Sequence, residues 1–170
     1  NKHLDINPSL SISIIRQHIK KSVEKTTQMG FPKEVIDIIA EHHGNSVIQY
    51  FYNKAKEQDD SVSPENFSYM GTPPTTRESA VVMLADTVEA ACHSLDKPTM
   101  PRLEKFIHQL ITSKYDHGQL DKAPLTFKDL DIIKKSFATV LTGYYHSRIK
   151  YQNQKDPDDE SKESEGNKNE

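Results

Sequence analysis

Two adjacent histidines are the residues whose types and spacing point most directly to chemistry. His42 and His43 follow an apolar helical run at residues 35–40 and precede Gly44, so they fall where a predicted helix ends. Neutral imidazole is the commonest protein ligand of transition metals, and the partial negative charge at a helix C-terminus favours a nearby cation. Histidine is also an ordinary last-turn residue that binds free carbonyls. The pair alone therefore leaves two interpretations open, a metal site and a plain helix end.

Two more polar side chains interrupt apolar helical faces. His18 follows Ile14 and Ile15 at spacings of four and three residues. Asp86 has Val82, Met83 and Ala90 as its helical neighbours at i−4, i−3 and i+4. Helical spacing predicts that both polar side chains face the interior. Alone, each has a structural explanation, as a core histidine or as one half of a buried ion pair. Together with the histidine pair, however, three helices each bring a ligand type to an interior face, which favours a metal site.

The predicted ligands also indicate a class of metal. Histidines combined with a carboxylate suit manganese, iron or zinc better than calcium or magnesium, and such mixed sets are typical of sites that activate water. His93 lies seven residues after Asp86 on the same helical face, about 10 Å further along the axis. That distance excludes His93 from the same ion. We expect it to be a surface residue, with a contact to a substrate phosphate as the alternative.

Helical patterns account for most of the chain, and no segment has a convincing strand pattern. Caps, prolines and glycines delimit six predicted helices, at residues 8–29, 32–43, 47–57, 79–94, 99–115 and 126–150. Thr75 and Glu78 have the spacing of a capping box before the fourth helix, and the polar residues 58–74 are predicted to form a long loop. The predicted fold class is all-α, a bundle of about six helices.

Charge and composition limit the other possibilities. The chain has 170 residues and a formal charge of −3, but residues 152–170 alone carry −4, which leaves +1 on residues 1–151. We expect one domain at 1–151, followed by a disordered acidic tail at 152–170 that has no aliphatic or aromatic residue to bury. The nearly neutral domain has no basic stripe for a nucleic acid polymer. The single cysteine, Cys92, excludes an internal disulfide framework.

The chain shows neither a membrane-spanning run nor a leader. No apolar stretch approaches the length of about 18 to 20 residues that a bilayer requires, so we expect this segment to be soluble. The first residue is Asn1 rather than methionine, and no charged-then-apolar leader follows it. We therefore expect the chain to be part of a longer protein.

Six segments of the chain resemble a known family. They are Asn7-Pro8-Ser9-Leu10-Ser11, Glu41-His42-His43-Gly44, Tyr50-Phe51-Tyr52, Met83-Leu84-Ala85-Asp86-Thr87-Val88-Glu89-Ala90-Ala91, Gly118-Gln119-Leu120-Asp121 and Tyr145-His146-Ser147-Arg148-Ile149. Together they are similar to the cytoplasmic HD hydrolase domain of bacterial seven-transmembrane HD proteins, which include the PgpH-type cyclic di-AMP phosphodiesterases. The resemblance extends to about Tyr151. It implies an HD-domain-like helical bundle on the cytoplasmic side of the cell membrane, attached to a transmembrane region of the parent protein.

The resemblance also implies metal ligands and an activity. By it, one metal of a di-iron or di-manganese pair would be held by His18, His42 and His43, and Asp86 would complete the other. A two-metal-activated hydroxide would hydrolyse the cyclic dinucleotide c-di-AMP to linear pApA, with His93 as a candidate substrate contact at a position where an arginine is expected. Such relatives also have a His-Asp dipeptide whose aspartate bridges the metals, and this chain has none. We therefore expect a C-terminal portion of the domain, inactive on its own.

Two alternatives stay open at this point. The chain could be a catalytically inactive helical module that senses a nucleotide or mediates contacts for a membrane protein. It could also belong to an HD phosphohydrolase that acts on another nucleotide and uses the same ligands. A histidine and a His-Asp pair encoded upstream would favour the enzyme over the binding module. Substrate choice depends on pocket shape and on loops such as residues 58–74, which the sequence does not define.

Overall fold

Six α-helices make up most of the part of the chain that the structure describes. The computed structural model describes residues 8–95 and 98–151. Its helices are α1 (Pro8–Gln28), α2 (Lys33–Glu41), α3 (Gln49–Lys56), α4 (Arg77–Cys92), α5 (Met100–Asp116) and α6 (Phe127–Tyr151). A short 3-10 helix at Pro64–Phe67 lies within the predicted loop, and the only β-bridge in the described ranges pairs Val47 with Ser68. The all-α prediction is confirmed, whereas the tail predicted at 152–170 lies outside the described residues.

Apolar side chains form two clusters, and α2 lies between the helices that build them. The larger cluster packs α4, α5 and α6 together through the buried residues Ala80, Met83, Leu84, Val88, Cys92, Leu103, Ile107, Ile111, Leu120, Ile133 and Ala138. The smaller cluster joins α1 and α3 to the 3-10 helix through Ile12, Phe51, Ala55 and Phe67. α2 packs against both α1 and α4, and none of its own residues is fully buried. Its C-terminal end therefore lies where side chains from α1 and α4 can meet.

The buried face of α1 differs from the one that the sequence predicted. Ser11 and Ile12 are buried, whereas Leu10 and Ile14 are 55% and 45% exposed. Ile12 packs against residues of α3 and the 3-10 helix, whereas His18 is exposed. The prediction that His18 faces the interior was wrong. Apolar spacing locates a stripe on a helix, but it does not show which edge of that stripe a neighbouring helix will cover.

Glu41 connects the end of α2 to the start of α4. Its carboxylate accepts hydrogen bonds from the backbone N–H of Thr75 at 3.1 Å and from the Thr75 hydroxyl at 2.8 Å. Thr76 is the N-cap of α4, since its hydroxyl accepts from the backbone N–H of Ser79 at 3.1 Å. The predicted capping box of Thr75 and Glu78 was therefore wrong by one residue, because Glu41 takes the Thr75 donors. This connection holds together α2 and α4, two of the three helices that bring candidate ligands to the site.

Candidate metal centre

Three histidines from two separate segments meet at the end of α2. One ligand atom from each of His18, His42 and His43 lies within 4.8 Å of the other two. The His18 and His43 Nε2 atoms are 3.2 Å apart, and the ring centroids of His42 and His43 are 4.0 Å apart. His18 belongs to α1, whereas the other two occupy the turn that follows α2. In the described ranges this is the one such group of histidine, cysteine or carboxylate side chains. We call it the histidine cluster.

Backbone carbonyls define the tautomers of two of these histidines. The Nδ1 of His18 donates to the carbonyl oxygen of Ile15, and the Nδ1 of His42 donates to that of Ile39 at 2.7 Å. A ring nitrogen that donates carries the proton, so the Nε2 lone pair of each ring remains free for a metal. Carbonyl bonds of this kind also fix the orientation of an imidazole before a metal binds.

His43 is a neutral imidazole held against Asp86. Burial lowers the pKa of His43 to about 3, and the positive charges of neighbouring groups add to this effect: His42, His18 and Lys114. Its Nδ1 lies 3.4 Å from Oδ2 of Asp86. Because the ring is neutral at physiological pH, this contact is not an ion pair, and a proton on Nδ1 would face the carboxylate. A proton on Nδ1 would leave the Nε2 lone pair of His43 facing His18.

The spacing of the histidine cluster fits a single ion. Two nitrogen ligands about 2.1 Å from a common metal lie roughly 3 to 3.5 Å apart, and the Nε2 atoms of His18 and His43 are 3.2 Å apart. With both protons on Nδ1, these atoms present two lone pairs to each other, and a cation between them removes the repulsion. Neutral imidazoles suit divalent transition metals. The residues present therefore fit one such ion.

Asp86 lies beside the histidine cluster rather than within it. Its side chain is 43% exposed, so the predicted interior placement was wrong, and the group of mutually close ligand atoms does not include its carboxylate. α4 packs on α2 so that Asp86 reaches His43 from the side of Nδ1. From this position the carboxylate orients His43 and keeps an oxygen accessible from solvent.

Tyr69 forms one wall of the histidine cluster, and the sequence did not indicate it. Its ring stacks on that of His43, with centroids 4.2 Å apart and planes 12° apart. Its backbone N–H donates to the carbonyl of Ser46 at 2.9 Å, which fixes the loop over the turn. Burial, aided by the charge of Asp86, raises the pKa of Tyr69 to about 12, so the phenol keeps its proton. The one feature of the sequence that could have indicated Tyr69 is that it is an aromatic residue in an otherwise polar loop.

Lys114 reaches the same region from α5. Its Nζ donates to the Ser46 hydroxyl at 2.8 Å. Burial lowers the pKa of Lys114, and the charge of Asp86 partly opposes that effect. A lysine in the last turn of a helix is common because it complements the helix dipole, so neither its type nor its position singled it out in the sequence.

Gly44 closes the turn that carries the histidine pair. Its φ is +56°, and a Cβ at this position would lie 2.4 Å from Oε1 of Gln119 and 3.0 Å from Cε of Met83. Both the backbone conformation and the lack of space require glycine. Gln119 is itself buried and donates from Nε2 to Oδ1 of Asn45 at 2.7 Å. The segment that follows α5 thus holds the turn in place.

His93 lies at the C-terminal end of α4 and is paired with Glu89. Its Nε2 is 2.6 Å from Oε1 of Glu89, and its side chain is 60% exposed. None of the contacts described for His93 joins it to the histidine cluster. This surface position agrees with the interpretation that the sequence favoured, and a substrate contact from His93 stays a prediction.

The family of the chain follows from comparison with known domains. The sequence profile of the HD domain matches residues 4–91, slightly more than half of the chain. The chain belongs to the HD domain family. HD domains are metal-dependent, which agrees with three imidazoles placed to share an ion.

Known proteins are similar over most of the chain. Cyclic-di-AMP phosphodiesterase PgpH from Bacillus subtilis (strain 168) is 41% identical over 151 residues, which make up 89% of this chain and 21% of the relative. PgpH from Listeria monocytogenes serotype 1/2a (strain 10403S) is 35% identical over 156 residues, or 92% of this chain and 22% of the relative. The chain therefore spans about a fifth of the length of these relatives.

A solved structure extends the comparison to three dimensions. The crystal structure of the L. monocytogenes phosphodiesterase PgpH HD domain in complex with cyclic-di-AMP matches with a TM-score of 0.81 at 34% identity. The match covers 86% of this chain and 68% of that chain. The HD-domain-like helical bundle implied by the resemblance is confirmed.

Proposed function

We propose that this chain is part of a metal-dependent phosphodiesterase domain that hydrolyses the cyclic dinucleotide c-di-AMP to linear pApA. The observation that carries the proposal is the histidine cluster, found in a chain 34% identical to an HD domain solved with cyclic-di-AMP. The relative that is 41% identical is a phosphodiesterase for the same dinucleotide. Hydrolysis of a phosphodiester requires an activated water and stabilisation of negative charge on the phosphate. A bound transition-metal ion can supply both.

The side chains of the cluster would hold and orient the metal. A site built from His18, His42 and His43 with a carboxylate nearby suits manganese or iron. When bound, the metal supplies Lewis-acid activation of water and stabilises negative charge on phosphate oxygens. The protein contributes orientation: backbone carbonyls of α1 and α2 fix two rings through Nδ1, and Asp86 fixes the third. Tyr69 shields one face of His43 from water.

The complete centre would hold two ions, and we propose that this chain supplies only part of it. Asp86 is the ligand proposed for the second ion, because its carboxylate lies at the open edge of the cluster. The chain has no His-Asp dipeptide to bridge two ions. We therefore expect the chain alone to bind one ion and to give little or no turnover.

A second candidate function is nucleotide binding without hydrolysis. One ion held by three histidines can bind phosphate oxygens, which is sufficient for binding without hydrolysis. A module of this kind would sense a nucleotide or mediate contacts for a larger protein. The same cluster would also serve an HD phosphohydrolase for another nucleotide, because it addresses the phosphate and not the base.

Metal content and product formation on the purified 170-residue chain test the proposal. The chain is loaded with Mn²⁺, freed of excess metal, and analysed for bound manganese and for pApA formed from c-di-AMP. We expect one weakly held ion, binding of c-di-AMP and, at most, slow conversion. Two tightly held ions with fast hydrolysis would contradict the partial centre. If the chain binds neither metal nor c-di-AMP, the proposed function itself is contradicted.

A longer variant separates the enzyme from the binding module. The chain is joined to an HD-domain segment that supplies a His-Asp pair, and pApA formation is measured again. We expect hydrolysis to rise strongly, because the second ion gains its bridging ligand. Binding of c-di-AMP without any pApA in this variant would favour the binding module. A series of competing nucleotides in the same assay identifies the preferred substrate.

The membrane setting implied by the resemblance is also a proposal. In the part of the chain that the structure describes, no helix is both long and apolar enough to cross a membrane. We propose that the parent protein carries a transmembrane region and places this domain on its cytoplasmic side, where a cyclic dinucleotide would be present. Fractionation of cells that express the full gene, followed by protease protection of the domain in inverted and right-side-out vesicles, tests this placement.

A further inference from the structure

Lys114 differs from the other lysines of the described residues that lie close to carboxylates. Five lysines have a carboxylate oxygen within 4.0 Å, three or four residues away in the chain: Lys20, Lys33, Lys56, Lys134 and Lys135. Lys114 is partly buried and, within the described ranges, has no carboxylate oxygen that close. Its hydrogen-bond partner is the neutral hydroxyl of Ser46. An ammonium in this environment lacks a direct counter-charge.

The ammonium of Lys114 lies at the turn that carries the histidine pair, where its Nζ donates to the Ser46 hydroxyl at 2.8 Å. The charge of Asp86 partly opposes the lowering of the Lys114 pKa by burial, which agrees with this position. Ser46, which binds Nζ, follows the histidine pair by three residues and is fixed in turn by the backbone of Tyr69. The position of Nζ is therefore set by the same turn that positions the cluster.

Two hydrogen-bond donors of Lys114 remain available at this place. A lysine ammonium has three N–H donors, and Ser46 accepts one. Burying a charge without a partner is unfavourable, so a group of opposite charge is expected to bind there. Asp86 supplies that charge only from a distance and is the ligand proposed for a second ion. A phosphodiester carries one negative charge and two non-bridging oxygens, which allows one oxygen to face the metal and the other to face a lysine.

We propose that Lys114 binds a non-bridging phosphate oxygen of the nucleotide held at the histidine cluster. The assignment rests on the proposed function, since that function places a phosphate at the cluster. Lysine acts here as a compact point charge of the kind that binds phosphate in other proteins. Ser46 holds the ammonium in position, and the open side of the cluster at Asp86 gives the nucleotide access.

Acetylation of lysines in the full chain measures this contact without relying on activity. The Mn²⁺-loaded chain is treated with a low dose of acetic anhydride, alone, with inorganic phosphate, or with c-di-AMP, and each lysine is followed by peptide mass spectrometry. We expect either ligand, at ten times its dissociation constant, to slow modification of Lys114 about ten-fold, as mass action requires. Lys105, an exposed lysine on the same helix, is the internal control and should react at an unchanged rate.

Matched variants separate phosphate binding from a structural role. We expect Lys114→Met to weaken c-di-AMP binding about ten- to a hundred-fold, the range for loss of a charge-assisted hydrogen bond, while Mn²⁺ affinity and Tm stay near those of the wild type. Lys105→Met should bind c-di-AMP normally. Lys114→Arg should recover part of the affinity. If Lys114 only fixed the turn, Ser46→Ala would reproduce the loss and Mn²⁺ affinity would fall as well.

The outcomes distinguish this assignment from the proposed function. If c-di-AMP binds the wild type but does not protect Lys114, or if Lys114→Met binds it with wild-type affinity, the assignment is overturned and the function stands. If inorganic phosphate protects Lys114 but c-di-AMP does not bind, the assignment is supported and the proposed substrate is wrong. If neither ligand binds, both are overturned.

Discussion

The Nε2 atoms of His18 and His43 lie 3.2 Å apart, although the two residues are 25 positions apart in the chain. Each ring uses its Nδ1 elsewhere, His18 toward a backbone carbonyl and His43 toward Asp86. The two facing atoms are therefore the ones that carry lone pairs, a geometry that favours a shared cation. The proposed metal centre depends on this relationship.

Replacing His18 removes one proposed ligand with little effect on packing, because its side chain is exposed. We expect His18→Ala to weaken Mn²⁺ binding at least about 100-fold, the upper end of what loss of an outer partner causes. The free energy of unfolding of the metal-free chain should change by less than about 0.5 kcal/mol, as for other surface positions. Titration calorimetry and urea unfolding measure the two effects. His108→Ala, also exposed, is the control, and equal Mn²⁺ affinity in both variants would exclude His18 as a ligand.

Asp86 is expected to support metal binding through His43. Asp86→Asn keeps the shape of the side chain but weakens its hold on Nδ1, so Mn²⁺ affinity should fall roughly 10- to 100-fold, as for other outer partners of ligating histidines. Glu89→Gln, one turn further along α4, changes an exposed carboxylate that contacts only His93 among the described ion pairs. It should leave Mn²⁺ affinity unchanged. Wild-type affinity in Asp86→Asn would mean that the contact to His43 has no part in the site.

Two glycine substitutions test how tightly the histidine turn is packed. Gly30 and Gly44 both have positive φ, but a Cβ on Gly30 meets no atom within 4 Å, whereas one on Gly44 would overlap Gln119. Gly30→Ala should cost about 1 kcal/mol from backbone strain alone, and Gly44→Ala about 2 to 4 kcal/mol because overpacking is added. Urea unfolding followed by circular dichroism measures both free energies. Equal losses would show that the space around Gly44 is not limiting.

The start of α6 should contribute a pH-dependent part of the stability. Asp129 accepts hydrogen bonds from the backbone N–H and the hydroxyl of Thr126 at 2.8 and 2.7 Å, and these bonds lower its pKa below the ordinary value of 3.8. A carboxyl whose pKa is lower in the folded state stabilises the protein above its unfolded pKa and loses that effect as pH falls through the folded pKa. Below about pH 4, wild type should therefore lose stability faster than Asp129→Asn.

Urea midpoints at a series of pH values check this prediction. Thr126→Ala removes the hydroxyl bond and keeps the backbone bond, so its pH dependence should lie between those of wild type and Asp129→Asn. Identical slopes in all three proteins between pH 5 and pH 3 would contradict the assigned cause of the lowered pKa.

The helices and the three histidines could be predicted because each is indicated by a short-range pattern in the sequence. Helix starts are set by neighbouring residues: the sixth helix was predicted from residue 126, and in the structure Thr126 and Asp129 bond each other at its start. His18 and the histidine pair interrupt apolar stripes at helical spacing, which is again a local pattern. Such patterns identify candidate ligands even where the burial that they predict is wrong, as it was for His18.

The remaining parts of the site depend on packing between distant segments. Tyr69 reaches His43 from a loop, and Lys114 reaches Ser46 over 68 positions in the chain. Neither residue type is unusual at its position, so only the assembled fold brings it to the site. The same applies to the cap of α4, which moved to Thr76 because Glu41 binds the preceding threonine.

His18, His42 and His43 are proposed to form a metal site. The most direct test is a crystal structure of the Mn²⁺-loaded chain with anomalous diffraction collected at the manganese absorption edge. We expect one strong anomalous peak within coordination distance of the three Nε2 atoms, on the side of the cluster that Asp86 borders. A fully loaded crystal whose manganese peaks all lie away from these imidazoles would contradict the claim.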